Sequence, residues 1–155
     1  METLFLDMDG VLVDFDSGIA RLDADLRDRY AGRLDDVPGI FALMDPMPGA
    51  LDAFGQLSGV YDTYLLSTAP WDNPTAWSDK LAWVKRHLGD PAHKRLTLTH
   101  HKNLARGHIL VDDRDRHGAA DFDGDWIRFG TAPWHDWATV LPHLLDRAAR
   151  RSTTP

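Results

Sequence analysis

The chain contains no cysteine. Disulfide staples, thiolate catalysis and cysteine-ligated zinc are therefore excluded. No apolar run approaches the ~20 residues that a helix needs to cross a bilayer. The short apolar stretch Leu4–Leu6 has no basic flank before it, so no signal peptide is visible. Basic residues are in deficit: 17 Lys and Arg stand against 24 Asp and Glu, for a formal charge of −7. Broad binding to nucleic acid or to an anionic membrane calls for a basic footprint and is not expected. Small phosphorylated substrates remain open, because a bound divalent metal reverses the local field. Repeats and low-complexity tracts are also missing. What remains is a chain of 155 residues, 43% hydrophobic and 26% charged, long enough for one domain with a sizeable core. The default expectation is a soluble, cytoplasmic protein.

Short apolar runs alternate with amphipathic stretches of helical length, which predicts an α/β fold: a parallel sheet flanked by helices. Strands are expected near Thr3–Met8, Thr63–Ser67, Leu96–Thr99, His108–Asp112 and Trp126–Phe129. Helices are expected near Ser17–Arg29, Gly49–Leu57, Ala76–Leu88 and from about Thr139 to Arg150. Pro48 suits the first turn of the second helix and Pro142 that of the last. Residues from about 15 to 47 fit the alternation least: a charged helix, the turn Asp35–Gly39 and the apolar Ile40–Met44. An insertion there covers the carboxyl end of the sheet, where α/β proteins bind ligands, so it reads as a small cap. Ser152–Pro155 reads as a frayed tail.

The segment Leu4-Phe5-Leu6-Asp7-Met8-Asp9-Gly10-Val11 carries the strongest chemical signal. In an extended chain residues i and i+2 point to one side, so Asp7 and Asp9 emerge together from a buried strand. Two close carboxylates want a cation, a shared proton or both. Three later strand ends supply complementary groups. Tyr64-Leu65-Leu66 runs into Ser67-Thr68, hydroxyls that can hold a phosphoryl oxygen. Leu96–Thr99 leads to His100-His101-Lys102, a cation, and His108–Val111 ends in the second carboxylate pair, Asp112-Asp113. Carboxylates at neighbouring strand ends form an all-oxygen site suited to Mg²⁺.

The order Asp-x-Asp-Gly-Val, hydroxyl, lysine, Asp-Asp resembles the four motifs of the haloacid dehalogenase superfamily, whose phosphatases have a Rossmann-like core. Within it, the chain is most similar to the 5'(3')-deoxyribonucleotidase branch. Asp7–Phe15, Asp45–Ala50, Ala82–Lys85, Leu98–Lys102 and Ile109–Arg114 carry that likeness. The cap departs from it, being shorter than in the animal enzymes.

By position, the resemblance implies Asp7 as nucleophile, forming an aspartyl-phosphate. It implies Asp9 as the acid that protonates the leaving alkoxide and then as the base that activates water. Mg²⁺ is implied at Asp7, the backbone carbonyl of Asp9, Asp112 and Asp113, the last directly or through water. Lys102 and a hydroxyl are implied to hold the phosphoryl oxygens. Ser67 is favoured over Thr68 because it follows the strand at once, and Thr68 can donate alongside it. Gly10 is expected to let the backbone approach the phosphate.

Phe41 in the cap and Trp71 after the hydroxyl motif are candidates to stack on a base or sugar. Trp77, Trp83 and Trp126 fit a core face, and His100 and His101 point to opposite sides of an extended chain, so joint metal binding is not expected. The implied function is hydrolysis of a small phosphomonoester, a nucleoside monophosphate first. A sugar phosphate, or a non-catalytic phosphate-binding protein of the same fold, is the alternative.

Overall fold

The computed structural model describes residues 1–152; residues 153–155, most of the expected tail, lie outside the described residues. Five parallel strands form the central sheet: β1 (Thr3–Leu6), β4 (Asp62–Ser67), β5 (Leu96–Leu98), β6 (Ile109–Asp112) and β7 (Asp125–Arg128), in the order β5-β4-β1-β6-β7. The chain builds outward through β1, β4 and β5, then returns to the other side of β1. That reversal puts the ends of β1 and β6 side by side at a switch point, where α/β sheets bind ligands. β1 and β6 sit mid-sheet with both faces covered, which is why Leu4, Leu6, Ile109, Leu110 and Val111 form continuous apolar runs.

The two faces are covered differently. Leu4, Leu6, Leu65 and Val111 pack with side chains of α3 (Ala50–Val60), α4 (Ala76–His87) and α5 (Trp137–Ser152). Phe5, Leu66 and Leu110 pack on the other face against Ala119 and Phe122, from a short 3-10 turn and the loop after it. The helices α3 and α4 share a face because both crossovers step the same way along the sheet, and right-handed connections then place them together.

Between β1 and α3 lie a two-stranded antiparallel pair, β2 (Val13–Asp14) with β3 (Asp45–Pro46), and the segment they enclose. The one helix expected at Ser17–Arg29 is two: α1 (Phe15–Ala20), capped by the Asp14 carboxylate on the Ser17 amide at 3.3 Å, and α2 (Ala24–Arg29). The break falls at Leu22, whose side chain is buried in the core and pulls the chain inward. Pro48 precedes α3 rather than opening it, since Gly49 (φ 80°) takes the left-handed turn before Ala50. Pro142 lies inside α5, not in its first turn. The start is set instead by Asp136, whose carboxylate accepts from the Thr139 amide (3.0 Å) while Thr139 Oγ1 accepts from the Asp136 amide (3.3 Å), a reciprocal cap.

Among the described residues, no helix is long and apolar enough to cross a membrane.

Candidate active site

Asp7 follows β1 directly, and its amide still joins the ladder through Val111 O at 2.9 Å. The chain then leaves the sheet. The Met8 carbonyl accepts from the amides of Val11, Leu12 and Val13 at 3.1, 2.9 and 2.8 Å. Asp9 therefore reaches the site from a tight turn, not from strand alternation, and the expected strand through Met8 ends at Leu6. The turn still delivers both carboxylates to one cavity of about 480 Å³ at the carboxyl end of the sheet, lined also by Thr68, Lys102, Asp112 and Asp113.

Each member of the first acidic pair has its own lysine. Lys102 Nζ lies 2.9 Å from Asp7 Oδ1 and 2.5 Å from Asp112 Oδ2, with its side chain 4% exposed. Burial pulls Lys102 down, but the adjoining Asp7 and Asp112 charges and hydrogen bonds outweigh it and raise its pKa. Lys80, from α4, is wholly buried and sits 2.6 Å from Asp9 Oδ2. It also donates to Ser67 Oγ at 3.2 Å and lies over the Phe41 ring, 4.4 Å from its centroid. Burial pushes the Asp9 carboxyl up, Lys80 opposing this and Asp7 adding to it. Asp112 and Asp113 are raised as well, first by burial and then by the Asp7 charge.

Lys80 was not among the residues singled out from the sequence, although a signal existed. Ala76, Lys80, Trp83 and Val84 form the buried stripe of α4, so a lysine occupies a position patterned for an apolar residue. A fully buried lysine needs a paired anion, and Asp9 is that anion.

The two hydroxyls separate. Thr68 lines the cavity and donates to Thr99 O at 2.7 Å, which holds its side chain against the β5 end. Ser67, favoured from the sequence, is fully buried and does not line the cavity; its hydroxyl accepts from Lys80. Gly10 does not line the cavity either. Its φ is 77°, and a Cβ there would fall 2.3 Å from Asp113 Oδ2, so its close approach is to a carboxylate and not to the cavity. Phe41 lines the cavity, buried, with its ring edge-on to Phe15 at 6.1 Å. Trp71 stands 83% exposed at the rim, edge-on to His100 at 5.8 Å. Trp83 is buried as expected, but Trp77 is 48% exposed because it lies off the α4 stripe.

The segment between β1 and α3 is fastened over the site. Asn73, 1% exposed, donates to the carbonyls of Asp35 (2.8 Å) and Val37 (2.9 Å). Thr75 Oγ1 accepts from the Gly39 amide at 2.8 Å. Trp83 Nε1 donates to Met44 O at 3.0 Å. These contacts seat Phe15, Leu34 and Phe41 on the cavity wall.

Carboxylate oxygens of Asp7, Asp112 and Asp113 all lie within 4.8 Å of one another. Asp113 Oδ1 is buried with no hydrogen-bond partner, an orphan acceptor facing two further carboxylates. That donor set, all oxygen and all anionic, fits Mg²⁺. The Asp9 carboxylate stays outside the set, turned to Lys80.

Comparison with known proteins agrees with the geometry. Residues 33–136 match the family model described as "5' nucleotidase, deoxy (Pyrimidine), cytosolic type C protein". A protein of Vibrio phage KVP40 that carries the provisional name 5'(3')-deoxyribonucleotidase is 53% identical, over 92% of this chain and 84% of that one. The human cytosolic-type 5'(3')-deoxyribonucleotidase is 29% identical over 93% of this chain and 86% of its own length. A haloacid dehalogenase-like hydrolase from Streptococcus pneumoniae superposes with a TM-score of 0.55 at 14% identity, covering 97% of this chain and 98% of that one, a likeness of fold. The chain thus belongs to the 5'(3')-deoxyribonucleotidase family, enzymes that cleave phosphoric monoesters.

Proposed function

We propose that the protein hydrolyses (deoxy)nucleoside monophosphates through a phosphorylated Asp7. The observation that carries this is that Asp7 and Asp9 line one cavity and each is paired with its own buried lysine. In the first step an Asp7 oxygen bonds to phosphorus, the P–O ester bond breaks, and Asp9 gives its proton to the leaving oxygen. In the second, Asp9 takes a proton from water, water attacks phosphorus, and Asp7 is released with inorganic phosphate. Lys80 holds Asp9 at one oxygen and leaves Oδ1 unpaired, available for the proton. Lys102 offsets negative charge between Asp7 and Asp112, while Thr68 rather than Ser67 meets the phosphoryl oxygens, its hydroxyl turning from the Thr99 carbonyl to donate to them. Asp7, Asp112 and Asp113, with the Asp9 backbone carbonyl, would hold Mg²⁺. When bound, it supplies charge neutralisation and polarises the phosphoryl oxygen.

Residues 15–47 act as a cap, and the Phe41 face is the surface offered to a base, with Trp71 at the open side. Similarity to the human and phage proteins supports the nucleotide as substrate. The test is phosphate release from deoxynucleotides, ribonucleotides and sugar phosphates with and without Mg²⁺. Deoxynucleotides should be the best substrates. Metal-independent turnover, or turnover by Asp7→Asn, refutes the mechanism; a sugar phosphate as the best substrate refutes the nucleotide assignment alone.

A further inference from the structure

The cavity is lined by acidic groups from the segment between β1 and α3, Asp35 and Asp36, and by basic groups from the turns after β5 and β6. Both buried lysines are engaged, Lys102 by Asp7 and Asp112, Lys80 by Asp9. The turn after β5 and the loop after β6 bring His100, Arg114, Arg116 and His117 to the lining. Among the described residues Arg116 forms no ion pair, and Arg114 reaches one carboxylate, Asp113, at 3.5 Å. His100 Nε2 is buried and has no hydrogen-bond partner.

The loop that carries the arginines is held in place. The Lys102 amide donates to His117 O at 2.7 Å, so the loop is tied to the residue that spans Asp7 and Asp112. Gly118, at φ 81°, packs so closely that a Cβ would sit 2.3 Å from Asn103 Oδ1. His117 takes φ 52°, a left-handed conformation that a non-glycine residue keeps only where its surroundings impose it. The arginine wall is therefore positioned relative to the nucleophile rather than draped over the surface.

Resting on the functional reading above, we propose that this wall is a subsite for a second phosphoryl group on the substrate. With the 5'-phosphate at Asp7, the group at the wall is the phosphoryl on the 3' oxygen of the same nucleoside. Guanidinium forks match phosphate oxygens, and His100 Nε2 supplies the remaining hydrogen bond. The cavity, at about 480 Å³, falls in the ordinary range for a whole small ligand rather than a phosphate alone. A free 3',5'-bisphosphate and the diester of a 5'-phosphorylated dinucleotide present the same chemistry.

The experiment compares kcat/KM for loss of the 5'-phosphate from a deoxynucleoside 5'-monophosphate, its 3',5'-bisphosphate and the 5'-phosphorylated dinucleotide, in the native enzyme and in Arg116→Gln. A charged hydrogen bond corresponds to about 10-fold or more in affinity, so the native enzyme should favour a doubly phosphorylated substrate by about that factor, through KM. Arg116→Gln should erase the preference and leave the monophosphate unchanged. Preference for the bisphosphate alone identifies a terminal phosphate; equal preference for the dinucleotide identifies a diester. Equal native kcat/KM for monophosphate and both longer substrates overturns the subsite. So does an equal loss on all three in Arg116→Gln, which marks the wall as steering. Turnover of none of the three refutes the functional reading instead. Calorimetric binding of the monophosphate and bisphosphate to Asp7→Asn then still reads the subsite, and equal affinities overturn it.

Discussion

Lys80 Nζ lies 2.6 Å from Asp9 Oδ2, and its side chain has no solvent exposure at all. A lysine buried this completely needs a paired anion, and the partner here is a carboxylate that opens onto the cavity. Two residues that are 71 positions apart in the chain thus form one unit, with Ser67 beneath it and the Phe41 ring beside it.

Lys80→Met should lower kcat by about 10²-fold, because general acid–base catalysis contributes roughly 10²–10⁴ and depends on how Asp9 is held. KM should change less than kcat. A thermal melt should show the fold retained, since methionine fills the same stripe of α4. Unchanged kcat would remove Lys80 from the chemistry.

Thr68→Val should cost about 10- to 100-fold in kcat/KM, the worth of a hydrogen bond to a charged phosphoryl group. Ser67→Ala should cost less than 10-fold, because Ser67 acts only through Lys80. Steady-state kinetics on one nucleotide decides the order, and the reverse order returns the phosphate contact to Ser67.

Gly10→Ala places a methyl group 2.3 Å from Asp113 Oδ2 at a φ of 77°. The strained backbone should cost about 1–2 kcal/mol of stability. Displacing Asp113 should raise the Mg²⁺ concentration for half-maximal activity by about 10-fold, as for other disturbances of groups around a metal. A Mg²⁺ titration of native and variant enzyme measures the shift, and coincident curves would show that Asp113 does not hold the metal.

Glu2 is buried at the amino end of the sheet, where Arg147 Nε and Nη2 donate to its two oxygens at 3.0 and 2.8 Å. The Arg147 hydrogen bonds hold its pKa below the ordinary 4.5, against the opposing effect of burial. Because the folded pKa is the lower one, this stabilisation is complete above about pH 4.5 and fades as pH falls through the folded value. Glu2→Gln should therefore melt several degrees below the native protein at pH 7, at about 2–4 °C per kcal/mol, with the gap narrowing at acid pH. A gap that stays constant below pH 4.5 would assign the loss to packing.

Much of the site was legible because its parts sit where strands stop. Asp7, Thr68, Lys102 and Asp112 each follow or end an apolar run, and parallel strands deliver their carboxyl ends to one edge. A short apolar run and its terminus are local properties, so the sequence by itself determined the α/β class, the strand positions and the acidic pairs. It also determined the family, through motifs whose order along the chain is enough to recognise them.

Only the tertiary structure decided which partner each group meets. Whether Asp9 lies on a strand or in a turn depends on three amides bonding to the Met8 carbonyl. Whether Ser67 or Thr68 faces the cavity depends on where Lys80 arrives from a helix that begins nine residues after Ser67. Gly10 proved to make room for Asp113, a neighbour 103 positions away that no spacing rule predicts. Strand and helix periods are short-range and readable, whereas a buried charge takes its counter-ion from whatever element the folded packing brings against it.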